Sequence, residues 1–371
     1  METVTLEKVC IKNKALSVDQ ILDVFKGINI SPDWSFKGLT PSQTAKLTHC
    51  YHRYPAKFIP QLVEKLMDEY LLGYGPFHVN DLFMGSGTTL VCAITRGYFA
   101  SGTDVNYSAE LITRAKCTPI EPVLLKDKVN RFINDLSFLE EKNLFVSEKY
   151  KPYIPKLKIE RIKYWFAPEI MEELGIILAR INCEKDENVK RFLKCCFSHI
   201  LKTCSRWLMS STKPTIDKSK KPVKPLGAFR KHIKKMIKGN ELFWSVVPEN
   251  VKRNINKYLI IKRQDARQQP VKNNTVDIQI TSSPYVTSYE YADLHQLTTI
   301  WLEPEVDLKE HKKQFIGTSA KTNGTRILKS QIGKDIKNKL QKVDKKIPLK
   351  TGVSPKSKNP PSFSFLFTKS R

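Results

Sequence analysis

Leu62, Val63, Leu66 and Tyr70 recur at helical spacing and predict an amphipathic helix over QLVEKLMDEYLL (61–72). The period then changes. FHVNDLF (77–83) reads as a strand, MGSG (84–87) as a turn, TTLVCAITRG (88–97) as a helix, and YFASGTDV (98–105) as a second strand that ends near Asp104. Strand, glycine turn, helix and strand within about 30 residues form a βαβ unit, which implies a parallel sheet and an α/β fold. Residues 108–117 continue as a helix. WFAPEIMEELGIILARI (165–181), with Pro168 in its first turn, and VKRFLKCCFSHILKTCSRWL (189–208) predict two more. TVDIQITSSPY (275–285) returns to strand character and stops at a polar turn, and YADLHQLTTIWL (291–302) follows as a helix. Nearer the start, SPDW (31–34) and TPSQT (40–44) look like helix starts. Between 209 and 272 the pattern is interrupted by Pro214, Pro222, Pro225, Pro248 and Pro270.

Charge sharpens this division. The 371 residues are 40% apolar, enough for one large or two modest cores, and carry a formal net charge of +26. Residues 1–200 contribute about +3, residues 201–272 about +15 and residues 303–371 about +11, while 273–302 are slightly acidic. Solvated lysine-rich faces are the plain explanation. The concentration in one internal segment favours a polyanionic partner, with nucleic acid the leading candidate. The eight cysteines show no C-x-x-C spacing and read as reduced thiols, and no metal site is expected. The N-terminus has no signal-peptide core and no run approaches the roughly 18 apolar residues of a membrane span. A soluble, cytoplasmic, nucleoid-associated protein with no membrane partner is the expectation.

The chemistry begins at Asp81-Leu82-Phe83-Met84-Gly85-Ser86-Gly87-Thr88-Thr89. A glycine turn between strand and helix lets a ligand approach the backbone and exposes the N–H groups of the helix start, which suit a carboxylate or phosphate. Asp104, at the end of the next strand, suits a ribose diol, and Asp81 suits an ammonium. Such a turn also serves other nucleotide-binding βαβ units. A P-loop is disfavoured because no lysine follows the second glycine.

DLFMGSGTT resembles the cofactor signature of amino-methylating DNA methyltransferases, written D-P-F-x-G-S-G-T-T, from which it departs at Leu82. HRYPAKFIP (52–60) is similar to the motif that precedes it in those enzymes. The resemblance implies a Rossmann-like class I sheet and S-adenosylmethionine as cofactor. It also implies cofactor contacts from Ala56, Lys57, Phe58, Asp81, Phe83, Gly85, Ser86, Gly87, Thr88 and Asp104. Ser282-Ser283-Pro284-Tyr285 resembles the S-P-P-Y catalytic motif of N4-cytosine enzymes, with Ser283 in place of the first proline. An exocyclic amino nitrogen is a poor nucleophile, because its lone pair is delocalised into the ring. Acceptors such as Ser282 Oγ and a backbone carbonyl must draw on its protons, and Tyr285 is suited to stack on an extruded base. Ser282, Pro284 and Tyr285 are thus the expected catalytic residues. Serine at the head of the motif favours N4 of cytosine over N6 of adenine, where Asp or Asn is usual. No Pro-Cys dipeptide of a C5-cytosine enzyme occurs. Glu290 and Asp293 are candidates to orient the turn, though a plain packing helix through Leu294, Leu297 and Trp301 is the stronger reading of that stretch.

About 175 residues separate Asp104 from Ser282, more than a connection needs. The expected organisation is a cofactor-binding part at 1–120, a largely helical, basic target-recognition insert at 121–272, a catalytic part at 273–302 and a Lys-rich tail at 303–371. Arg206, Lys213, Arg230, Lys231, Lys234 and Lys235 are expected DNA contacts, with Trp207 and Trp244 as wedges or stacking surfaces. Later family motifs are missing from the tail, so the sheet is expected to be incomplete and the chain to be truncated or frameshifted, with an exposed sheet edge. The expected function is N4-cytosine methylation of duplex DNA in a restriction-modification system, beside a cognate endonuclease sharing the site. An N6-adenine enzyme or an inactive remnant that only binds cofactor or DNA are the alternatives.

Overall fold

The computed structural model describes residues 31–55, 57–137, 139, 151–284, 291–316 and 365–369. Ala56, Tyr285 and Glu290 lie outside the described residues, as does most of the tail. The chain divides into Met1–Thr40, whose described part holds a 3-10 turn at Pro32–Trp34, and Pro41–Arg371, which carries everything below.

Five strands, β1 (His78–Asp81), β2 (Phe99–Asp104), β3 (Leu259–Arg263), β4 (Ile278–Ser282) and β5 (Phe365–Lys369), form one sheet in the order β3-β2-β1-β4-β5. The first four are parallel: β1 pairs with β2 and with β4, and β2 pairs with β3. β5, from the tail, runs antiparallel beside β4 with Phe365 opposite Ser282, so both sides of β4 are paired. Side chains along β1 and β2 are buried on both faces, as a sheet covered by crossover helices requires.

The helices are α1 (Pro41–Thr44), α2 (Pro60–Tyr70), α3 (Thr88–Thr95), α4 (Tyr107–Cys117), α5 (Pro122–Asp135), α6 (Ile159–Trp165), α7 (Pro168–Asn182), α8 (Glu187–Cys204), α9 (Pro225–Val246), α10 (Glu249–Arg253), α11 (Ile255–Tyr258), α12 (Tyr291–Leu294), α13 (Gln296–Leu302) and α14 (Leu308–Gln314). The βαβ unit appears where its pattern put it, as β1, α3 and β2. The expected helix at 165–181 starts only at Pro168, which occupies the first turn of α7, because Phe166 and Ala167 are extended. The expected helix at 189–208 begins two residues earlier, where Asp186 caps it by accepting from Asn188 N and Val189 N, and it ends at Cys204. The helix expected at 291–302 is broken in two at His295.

The segment 121–272, read as an insert, contains α5 to α11 and also β3, a strand of the sheet itself. Helices α5 to α9 share one apolar core with Ile112 and Ala115 of α4 and with Leu297, Ile300 and Trp301 of α13. Buried Asn240 of α9 fastens this body to the chain after α4, accepting from Ile120 N at 3.2 Å and donating to Ile120 O at 2.6 Å. Trp165 stacks on Trp207 with ring centres 5.1 Å apart, and Phe166 and Phe197 meet Trp301 edge-on. Trp207, expected as a DNA wedge, is 1% exposed and belongs to this core, so it is not free to intercalate. Half-buried Trp244 instead carries the ammonium of Lys252 over its ring at 4.8 Å.

Trp207→Ala is expected to destabilise the fold by about 3–5 kcal/mol, the usual cost of emptying a buried aromatic site. Urea unfolding followed by far-UV circular dichroism checks this; a change under about 1 kcal/mol would return Trp207 to the surface.

Candidate active site

Four parallel strands end on the same side, and the chain between β1 and α3 must turn sharply there. Gly85 and Gly87 make that possible with φ of 47° and 71°, in the left-handed region that costs other residues. A Cβ on Gly87 would lie 2.5 Å from Thr113 Cγ2, so α4 also leaves no room for one. The turn's backbone is held at each step. Gly87 N donates to Met84 O at 2.6 Å, Thr113 Oγ1 donates to Gly85 O at 3.0 Å, and Lys116 Nζ donates to Ser86 O at 2.5 Å. Gly85 N in turn donates to Asp104 Oδ2 at 3.1 Å.

This turn floors an open pocket that spans about 820 Å³ with its solvent-filled mouth. Tyr54, Lys57 and Phe58 close one side, and Asp81, Phe83, Gly85, Ser86, Thr88 and Asp104 line the floor. Ser282 and Pro284, at the end of β4, open into the same space. Asp81 ties the two motifs together: its Oδ1 accepts from Thr281 Oγ1 at 2.7 Å and from Phe83 N at 3.1 Å. Thr89 Oγ1 adds a bond to Ile280 O at 3.3 Å. Asp104 Oδ1 accepts from Asn106 N at 2.8 Å, just before α4. Burial raises both carboxyls to about 6, against hydrogen bonds that pull them down. Burial also lowers Lys116 to about 7, with the nearby Lys57 ammonium acting in the same direction.

Of the expected cofactor residues, Gly87 shapes the turn without lining the pocket, and Ala56 lies outside the described residues. Of the catalytic three, Ser282 and Pro284 reach the pocket; Tyr285 lies outside the described residues. Asp293 pairs with Lys312 at 2.7 Å rather than entering the pocket. Sequence reasoning missed several lining residues. Gln264, Asp265 and Ala266 follow β3, and Gln264 N donates to Asp104 O at 3.0 Å, which sets this loop beside the second strand's tip. The apolar run Tyr258-Leu259-Ile260-Ile261 was the available signal, hidden in a stretch read for its charge. Tyr54, inside a motif already noted, stacks on His295 with ring centres 4.7 Å apart. Tyr291 and Gln314 to Ile316 line the pocket from α12 and from the end of α14.

Of the expected DNA contacts, Lys231 and Lys235 line a second, larger cavity; Arg206, Lys213, Arg230 and Lys234 do not line it. Lys234 and Lys213 are exposed, while Arg206 and Arg230 are half-buried. Among the described residues no group of three or more His, Cys, Asp or Glu is placed to hold a metal ion, and no helix is long and apolar enough to cross a membrane. The described cysteines are free thiols.

The pocket's unsatisfied chemistry fits S-adenosylmethionine. The hydroxyls of Ser86 and Thr88 are buried at the start of α3 with no hydrogen-bond partner, and both line the pocket. Two donors with nothing to bond, beside a helix start, suit the carboxylate of an amino-acid moiety, and two carboxylates at the strand ends suit an ammonium and a diol.

Strand order, glycine turn and strand-end carboxylates together make this a Rossmann-like methyltransferase sheet. The chain is similar to Type II methyltransferase M.MvaI of Kocuria varians, 29% identical over 294 residues that make up 75% of this chain and 62% of that protein. It is also similar to Type II methyltransferase M.MjaII of Methanocaldococcus jannaschii, 23% identical over 415 aligned positions that cover 85% of this chain and 77% of that protein. The chain is thus similar to Type II methyltransferases and spans less than two thirds of the length of the first of these. No protein-family profile matches it, and no solved structure does.

Gly87→Ala is expected to cost about 1–3 kcal/mol of stability through its backbone conformation and its contact with Thr113, read from urea unfolding. Cofactor binding is expected to weaken as pH falls through about 6, where Asp81 and Asp104 take up protons and lose acceptor strength. Calorimetric titration of S-adenosylmethionine between pH 5 and 8 (about one unit to either side of these values) checks this, with a shallower dependence expected for Asp104→Asn.

Proposed function

We propose that this chain transfers a methyl group from S-adenosylmethionine to the exocyclic N4 amino group of cytosine in duplex DNA, as a site-specific modification enzyme of a restriction-modification system. The observation that carries this reading is the shared pocket: Ser282 and Pro284 open into the same space as the glycine turn and Asp104. The two relatives, each named a Type II methyltransferase, support it.

When bound, S-adenosylmethionine supplies an electrophilic methyl group. Ser86, Thr88 and the turn's backbone would hold its amino-acid end, Asp104 would accept from the ribose hydroxyls, and Gln264 to Ala266, next to Asp104, would lie within reach of its base. Ser282 Oγ and a carbonyl of its turn accept from the target amino group, which frees the nitrogen lone pair for attack. Tyr54 and Phe58 give the pocket an aromatic side wall. In this arrangement the rate comes from positioning and from acceptors fixed before the substrate arrives. Lys231, Lys234 and Lys235 on α9, with Arg206, Lys213 and Arg230, are the proposed DNA contacts. Serine at position 282 is what favours cytosine over adenine.

Incubation with labelled S-adenosylmethionine and duplex DNA, then chromatography of the digested nucleosides, tests the reading. Label in N4-methylcytosine is the expected result. Label in N6-methyladenine would move the target base, and no transfer despite cofactor binding would leave a chain that only binds. Ser282→Ala is expected to lower the transfer rate about 10²- to 10⁴-fold with cofactor affinity unchanged. Asp104→Ala is expected to do the reverse, weakening cofactor binding by about tenfold or more. Equal losses in rate and affinity for Ser282→Ala would remove it from the chemistry.

A further inference from the structure

Beside the cofactor pocket lies a second, open cavity spanning about 2330 Å³ with its solvent-filled mouth, walled by the strap of His49 to Pro55 with Lys57, by α8 and α9, and by α12 and α13. Its lining includes Arg53, Lys57, Lys202, Lys231 and Lys235, and no aspartate or glutamate. In a fold with many surface ion pairs, a concave wall carrying five cations and no acid concentrates positive potential and attracts anions.

Histidines fix the strap that divides the two cavities. His232 of α9 donates Nε2–H to Tyr51 O at 2.7 Å, and His199 Nδ1 of α8 accepts from Arg53 N at 3.3 Å. The two imidazoles lie stacked, ring centres 3.5 Å apart. His52 donates Nδ1–H to Arg53 O at 2.7 Å and accepts at Nε2 from Ser198 Oγ at 2.9 Å, which in turn is bonded to Thr298 Oγ1 at 2.7 Å. Burial keeps these rings neutral, lowering His52 to about 3 and His232 to about 4, so each works as a directional clasp rather than a charge. The clasped backbone sets Arg53, exposed, in the basic cavity and Tyr54 between the two cavities, where it lines both and covers Gly85. Lys231 and Lys235 stand one helical turn apart on α9 and line the same cavity.

We propose that this cavity is a phosphodiester-binding cleft that grips the DNA strand next to the base delivered to Ser282, with Arg53, Lys231 and Lys235 as its anchors. The cleft and the cofactor pocket share Tyr54 and Lys57 as a common wall, so a strand held there lies alongside the transfer site. Volume and charge both suit a run of nucleotides. The proposal rests on the reading that DNA is the substrate, and it makes Arg53, absent from the basic internal segment, a principal contact.

The test uses the full chain. Arg53→Gln, Lys231→Gln and Lys235→Gln are combined, and a control of equal charge loss combines Lys126→Gln, Lys156→Gln and Lys163→Gln, exposed positions outside the cavity. Binding to a fluorescent duplex oligonucleotide is measured by anisotropy across salt concentrations, and S-adenosylmethionine binding by calorimetry. The cavity variant is expected to lose at least about tenfold in DNA affinity and about 2–3 units of salt slope, with cofactor affinity retained. The control is expected to change either quantity far less. Equal effects in the two variants, while the unsubstituted chain binds DNA, would overturn the cleft and leave the proposed function standing. A chain without substitutions that binds no DNA would overturn both.

Discussion

The backbone at Met84–Gly87 must pass twice through positive φ while keeping its polar groups satisfied, and the rest of the site is arranged around that demand. Its carbonyls are taken by Thr113 and Lys116 of one helix and its first glycine amide by a carboxylate of the neighbouring strand. The parallel register of β1 and β2 is what sets Asp104 beside Gly85, with Asp81 opposite Gly102. Asp81 then reaches across to Thr281, one residue before the proposed catalytic serine. Cofactor floor and catalytic turn are therefore parts of one hydrogen-bonded unit, and neither shifts without disturbing the other.

How much of this was legible followed from how local the signal is. The glycine turn, α3 and Asp104 sit within one βαβ unit, where period and turn chemistry act over a few residues. Ser282 and Pro284 were found through a short motif at a strand end. β3 was passed over because its five residues carry Lys262 and Arg263 at one end and lie in a stretch dominated by lysines and prolines. Only its pairing with β2, far away in sequence, shows it to be a sheet strand. Gln264 to Ala266 were lost with it. Trp207 was read as a surface ring because its flanks are basic, but its neighbours in space are Trp165 and the apolar face of α8.

The helical body at 121–258 is continuous with the sheet's own packing. Asn240 bonds both backbone groups of Ile120, and one apolar core runs from α4 through α5, α7, α8 and α9 to α13. The basic residues of α8 and α9 are carried on this packed base. The strap at 49–57, held by histidines of α8 and α9, ties that base to the turn's cover, Tyr54.

Lys116 is almost sealed from solvent, 1% exposed, and donates to a neutral carbonyl, Ser86 O. Burial lowers its pKa to about 7, and the amine donates this hydrogen bond whether or not it is protonated. A permanently charged guanidinium at that position would set a fixed positive charge beside Ser86 in the pocket floor. A lysine whose pKa is lowered holds the turn with less of that charge, which suits the sulfonium of the proposed cofactor.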